Sequence, residues 1–259
     1  MKKRKSEKRI KNKAKFGIIL IIFIVGIGIS EKGIKLLAEK NMEKYNYSKV
    51  DNKEKVLEDE EKVLEDKEKV LEDKEILMVN RDNPLDKNFV PKNLVTPNTK
   101  FIGNGDPNVN KLEAVAARAL ENLFQAAKNE GINLLGVSGY RDYNYQKKLY
   151  DNAVMSSGKE YADKYTAKPG ASEHQTGLAM DILSENYQVL DDGFNNTDAY
   201  RWIEKNCSKY GFIIRYPKGK ENITGYNYEP WHLRYVGKKA AEEITKNKIT
   251  LEEYIEMKK

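Results

Sequence analysis

The 259-residue chain contains two histidines, His174 and His232, and both stand beside acids, in SEHQTGLAMD (172–181) and YEPWHLRYVG (228–237). Six residues separate His174 from Asp181, with Gly177 among them, which is room for a turn that sends the chain back as a strand. In that strand Ala179, Asp181 and Leu183 share one face, so the carboxylate can point back at the imidazole. Glu229 precedes His232 by three residues. Two imidazoles and one carboxylate make a three-ligand nitrogen/oxygen set that suits zinc and leaves a fourth position open for water. A further carboxylate close by is what a hydrolytic site of that kind needs as proton acceptor. The same residues also fit a plain reading, in which each histidine is an ordinary core or surface residue and each acid a solvated charge. The H-x6-D spacing does not decide between the two.

Other chemistry finds no support. There is no G-x-x-x-x-G-K-[ST], G-x-S-x-G or G-x-G-x-x-G pattern, and Ser138 before Gly139 lacks a histidine to spare if both serve a metal. The single cysteine, Cys207, precludes an intramolecular disulfide and a thiolate-rich zinc site. It is expected as a buried residue on a helix near Trp202 and Ile203.

Elements that would position these residues follow from periodicity. Leu112, Val115, Ala116, Ala119, Leu120, Leu123, Phe124 and Ala127 recur at helical spacing ahead of Gly131, predicting a helix over 109–130. A strand is expected at 132–137, a helix at 143–155, a strand at 178–183 and a helix at 198–210 stopped by Gly211. Strands at 212–216 and 226–236 would flank the polar turn PKGKENITG. Thr250 with Glu253 three residues on starts a last short helix with a capping box. Helices outside a small, mostly antiparallel sheet give an α+β domain.

SGYRDYNYQ (138–146), PGASEHQTGLAMD (169–181), YGFIIRYPKGKENITGYNYEPWH (210–232) and LRYVG (233–237) resemble the VanY-type D-alanyl-D-alanine carboxypeptidases and their LD-carboxypeptidase relatives. The resemblance runs from about Phe101 to Lys246 with every motif in order. It implies that His174, Asp181 and His232 bind Zn²⁺, that Glu229 is the catalytic base, that Arg141 meets the substrate, and that Gln146 and Ser172 line the substrate cleft. Arg141 would hold either the developing oxyanion or the peptide's terminal carboxylate, a bidentate task suited to a guanidinium. The implied reaction is removal of the terminal D-alanine from peptidoglycan stem peptides. The alternatives are an LD-carboxypeptidase acting on the tetrapeptide, an endopeptidase, and a zinc-stabilised wall-binding module without turnover.

The first hundred residues lie outside the resemblance. The overall charge of +6 is concentrated in a tail, residues 1–15, where nine Lys/Arg face Glu7 alone. Subtracting that +8 leaves −2 for the other 244 residues, so no phosphate-tracking surface and no nucleic-acid partner is expected. The uncharged run FGIILIIFIVGIGIS (16–30), within a segment 16–37, is expected to be an uncleaved membrane anchor with its N-terminus cytoplasmic and the rest of the chain outside. A cleaved signal peptide is the competing reading. Residues 38–79 hold the heptads KEKVLED, EEKVLED and KEKVLED. Their narrow Val/Leu stripe predicts a helical spacer rather than a dimerisation seam, and a monomer is expected. Pro84, Pro91 and Pro97 mark 80–97 as a linker into a domain at 98–259.

Overall fold

The apolar stripe Ala116, Ala119, Leu120, Leu123, Phe124 and Ala127 winds into helix α1 (Ala114–Asn129) and is buried along it. The structure, a computed structural model, describes residues 76–103 and 106–259. The expected basic tail, anchor and repeat-bearing part of the spacer lie outside the described residues. Among those described, no helix is long and apolar enough to cross a membrane.

Helix α1 begins at Ala114 and not at 109 because the chain ahead of it is otherwise engaged. Asp106 caps a 3-10 turn at Pro107–Asn110, and a two-residue strand β2 (Leu112–Glu113) pairs antiparallel with β1 (Leu94–Val95). Next come β3 (Leu134–Ser138), α2 (Tyr143–Ser157), α3 (Lys159–Tyr165), β4 (Ala179–Ser184), α4 (Asp198–Asn206), β5 (Phe212–Tyr216), α5 (Glu221–Thr224), β6 (Glu229–Tyr235), α6 (Lys238–Asn247) and α7 (Leu251–Lys258). Four strands form one sheet in the order β3-β4-β6-β5, antiparallel at every pairing. This is the expected α+β arrangement.

All six residues of β4 are buried, and alternation along the central strands separates two environments. Met180, Leu233, Tyr235 and Phe212 join α1 and α4 in the main core. Asp181, His232, Arg234 and Arg215 belong to the opposite face. On that side Ile213 packs with Val236, the α6 residues Ala240, Ala241 and Ile244, and Leu251 and Tyr254 of α7. The sequence reading assigned no helix at α3 or α6. It is right about α7, whose capping box is formed: the Glu253 N–H donates to Thr250 Oγ1 at 3.2 Å and the Thr250 N–H to Glu253 Oε2 at 2.7 Å.

Two further boundaries differ for local reasons. The helix expected over 198–210 tightens into a 3-10 turn at Cys207–Tyr210 before left-handed Gly211. Strand β6 starts at Glu229 and not at 226 because the preceding tyrosines are drawn elsewhere. Tyr226 O–H donates to the Ala171 carbonyl at 2.9 Å and Tyr228 O–H to Asn195 Oδ1 at 2.8 Å.

Residues 80–97 are free of helix, as their prolines require, but together with 76–79 they are laid onto the domain. Val79 is fully buried. The Leu85 N–H donates to the Gly170 carbonyl at 2.8 Å, Gln175 Nε2 donates to the carbonyls of Asp86 and Phe89 at 3.0 and 3.2 Å, and Arg234 Nη2 donates to the Leu77 carbonyl at 2.8 Å.

Candidate active site

His174 lies in a 3-10 turn, Glu173–Thr176, that Gly177 closes with φ +68°. A Cβ at Gly177 would stand 2.9 Å from Leu94 Cδ2, so both the left-handed backbone and the close approach require glycine there. The chain then returns as β4, as the H-x6-D spacing predicts. Asp181 falls opposite His232 of β6 and, on its other side, opposite Ser138 of β3. The sheet register thus sets Ser138, Asp181 and His232 in one row.

His174, Asp181 and His232 are each 3% exposed, and one donor atom from each lies within 4.8 Å of the others. His174 Nδ1 is 2.7 Å from the Gly139 carbonyl, which can only accept, so that nitrogen carries the proton and Nε2 keeps its lone pair. Burial, with the Arg141 charge, lowers the His174 pKa to about 4, so the ring is neutral at pH 7. Its Nε2 stands 3.4 Å from Asp181 Oδ2. His232 presents Nδ1 to Asp181 Oδ1 at 3.1 Å and to Glu229 Oε2 at 3.6 Å, and Nε2 to Glu173 Oε2 at 3.5 Å. Burial disfavours its cation, yet Asp181 and Glu173 outweigh that and raise its pKa to about 9. Burial also works against the Asp181 carboxylate, but His174, His232 and Arg141 together hold its pKa well below the usual carboxylate range.

Arg141, just past β3, donates through Nε to Ser138 Oγ at 2.8 Å and through Nη2 to Asp181 Oδ2 at 2.6 Å. Glu229, 22% exposed at its side chain, has its pKa pushed up to about 7 by burial, with the Asp181 charge adding to the shift and His232 opposing it. A carboxyl tuned to neutrality beside buried histidines is suited to proton transfer.

All seven residues singled out from the sequence, Arg141, Gln146, Ser172, His174, Asp181, Glu229 and His232, line one cleft of about 290 Å³ together with Tyr216 and Trp231. Gln146, 2% exposed, donates through Nε2 to the Ala167 carbonyl at 2.8 Å, and its Oε1 has no hydrogen-bond partner among the described residues.

The donor set fits a zinc ion. His174, Asp181 and His232 each offer one atom to a compact group of the nitrogen/oxygen type that zinc takes. Asp181 Oδ1 is a buried acceptor without a hydrogen-bond partner among the described residues, the kind of orphan a cation would satisfy.

The sequence reading missed what lies behind His232. Glu173 is 1% exposed and Arg215 and Arg234 are 0% exposed. Glu173 Oε1 is 2.7 Å from Arg215 Nε and 2.8 Å from Arg234 Nη1. Arg215 also grips Glu252 of α7 through Nη1 at 2.9 Å and Nη2 at 2.6 Å. The available signal was a lone arginine inside each of two otherwise apolar strand segments, FIIRY and HLRY.

A family model described as VanY: D-alanyl-D-alanine carboxypeptidase matches residues 109–238. Over 180 residues the chain is 37% identical to the bifunctional D-Ala-D-Ala dipeptidase and D-Ala-D-Ala carboxypeptidase VanXYC of Enterococcus gallinarum, covering 68% of this chain and 91% of that one. Among solved structures, the LdcB LD-carboxypeptidase is 51% identical with a TM-score of 0.66, covering 69% of this chain and 84% of that one. A variant of the vancomycin-resistance D,D-pentapeptidase VanY from a VanB-type cassette, in complex with Zn(II), is 34% identical with a TM-score of 0.57, covering 69% of this chain and 97% of that one.

Proposed function

The chain belongs to the VanY family of D-alanyl-D-alanine carboxypeptidases, and from that membership we propose that it is a zinc-dependent carboxypeptidase that removes the terminal D-alanine from peptidoglycan stem peptides. The observation that carries this reading is the convergence of one ligand atom each from His174, Asp181 and His232, with Glu229 Oε2 3.6 Å from His232 Nδ1. A zinc ion held there supplies Lewis acidity, lowering the pKa of a coordinated water from about 15.7 to about 7.

The chain's own residues do the rest. Glu229 takes a proton from the attacking water and passes it to the nitrogen of the leaving D-alanine, so the peptide C–N bond breaks while the carbonyl carbon gains the water oxygen. Arg141 is pinned by Ser138 and Asp181 and sets a fixed guanidinium against the negative charge of the substrate, whether carbonyl oxyanion or terminal carboxylate. Gln146, anchored by its Nε2 donating to the Ala167 carbonyl, and Ser172 line the cleft where the peptide would lie.

A second reading within the class is LD-carboxypeptidase activity on the tetrapeptide, favoured by the 51% identity to LdcB. A non-catalytic zinc module is disfavoured by Glu229, since a purely structural site has no use for a base tuned to neutrality. The run at 16–30, with the basic tail before it, supports display of the domain on the outer face of the cell membrane. Incubating the purified full chain with muropeptides ending in pentapeptide or tetrapeptide, and weighing the products, tests the reading. Loss of one D-alanine from the pentapeptide supports it, whereas trimming of the tetrapeptide alone shifts it to the LD reading.

A further inference from the structure

The ring of His232 is backed by a cluster of four charges to which the reaction gives no part. Glu173, Arg215 and Arg234 are buried, and Glu252 closes the cluster with 17% of its side chain exposed. Two carboxylates and two guanidiniums make it neutral overall. Burying such charges is costly, and apolar side chains of similar volume are often as stable or more so. Stability alone is therefore a poor reason for the cluster.

Its geometry offers another reason. Both arginines converge on one oxygen of Glu173, Oε1, and leave Oε2 to His232 Nε2 at 3.5 Å. These two atoms are each buried and have no hydrogen-bond partner among the described residues, so each is the nearest opposite group the other meets as an ion pair. A zinc ion taken on Nδ1, the nitrogen turned toward Asp181 and Glu229, would leave the ring proton on Nε2, facing a carboxylate oxygen that can only accept.

We propose that Glu173 is a positioning residue that fixes the ring orientation and tautomer of His232 for metal binding, and that Arg215 and Arg234 are the frame that aims it. The inference rests on the zinc reading above. It also ties the metal ligand to the chain ends of the domain, because Arg215 is held by Glu252 of α7 and Arg234 by the Leu77 carbonyl.

The test compares zinc affinity, by chelator competition, in three full-length chains. Glu173→Gln leaves one buried positive charge in excess, whereas Glu173→Gln with Arg234→Met is neutral again. A merely structural cluster predicts that the neutral pair regains both melting temperature and zinc affinity. Positioning predicts that it regains melting temperature while zinc still binds about 10- to 100-fold more weakly than in wild type. Wild-type affinity in the neutral variant overturns the proposal. Should neither variant fold, nitrogen-resolved NMR of the zinc-loaded wild type decides: the His232 proton must sit on Nε2 and exchange slowly with water. A proton on Nδ1, or fast exchange at Nε2, overturns it. A wild-type chain that binds no zinc removes the zinc reading and this inference together, an outcome distinct from either result above.

Discussion

Asp181 stands directly opposite His232 across the β4–β6 pair, its Oδ1 3.1 Å from the imidazole Nδ1. The pairing is fixed by strand register, and a slip of one residue would send one of the two partners to the core face. Register shifts flank the row, between Gly136 and Ser138 and between Ile214 and Tyr216. Such irregularities are common where a sheet re-aims side chains next to a site. Asp181 and His232 are thus held in place by the sheet that carries them, while His174 comes from the turn before β4.

Replacing Glu229 by Gln keeps the shape and removes the basicity. Zinc content is expected to stay at the wild-type level while kcat falls by at least about a hundredfold, the low end for general acid–base catalysis. Metal analysis and steady-state kinetics on the same preparation check this, and near-normal turnover with zinc bound would move the base elsewhere.

Arg141→Lys preserves charge but cannot span Ser138 Oγ and Asp181 Oδ2, which the guanidinium meets through two different nitrogens. A loss of kcat/KM of about tenfold or more is expected, because a point ammonium does not reproduce the planar fork. Wild-type kinetics in this variant would show that charge alone is enough there.

Zinc affinity should follow the His232 proton. In the metal-free protein this ring has its pKa raised to about 9, and zinc must displace a proton from it. Affinity is therefore expected to climb about tenfold per pH unit between pH 7 and 9, where an ordinary histidine, titrating near 6.5, would already have levelled off. His174, lowered to about 4, adds no slope in this window. A plateau from pH 7 upward contradicts the geometry around His232.

A chain starting at 98 should be markedly less stable than one starting at 76. It lacks the fully buried Val79, worth about 2 kcal/mol by burial alone, the β1 partner of β2, and the carbonyls that Gln175 and Arg234 bond. Denaturant midpoints of the two truncations measure this, and equal midpoints would make 80–97 a linker in the energetic sense.

Much of the site was legible because its residues sit in short local patterns. His174, Gly177 and Asp181 are joined by one turn, and Glu229 and His232 share one strand. Strand β5 likewise falls where FIIRY predicts it. What escaped depends on partners far along the chain. Glu173 meets Arg215 and Arg234 only because β5 and β6 pair in a particular register. Helix α6 buries just Ala240, Ala241 and Ile244, too thin a stripe to stand out among its charges. Residues 76–97 have no period of their own and take their place from contacts made by Gly170, Gln175 and Arg234.

Hydrolysis should depend on a single zinc ion held by His174, Asp181 and His232. The deciding measurement titrates the metal-free full chain with zinc while following D-alanine release from a pentapeptide muropeptide. Release should be absent at the start, rise in proportion to added zinc and level off at one equivalent. Full release before any zinc is added, or a rate that does not change as one equivalent binds, would contradict it.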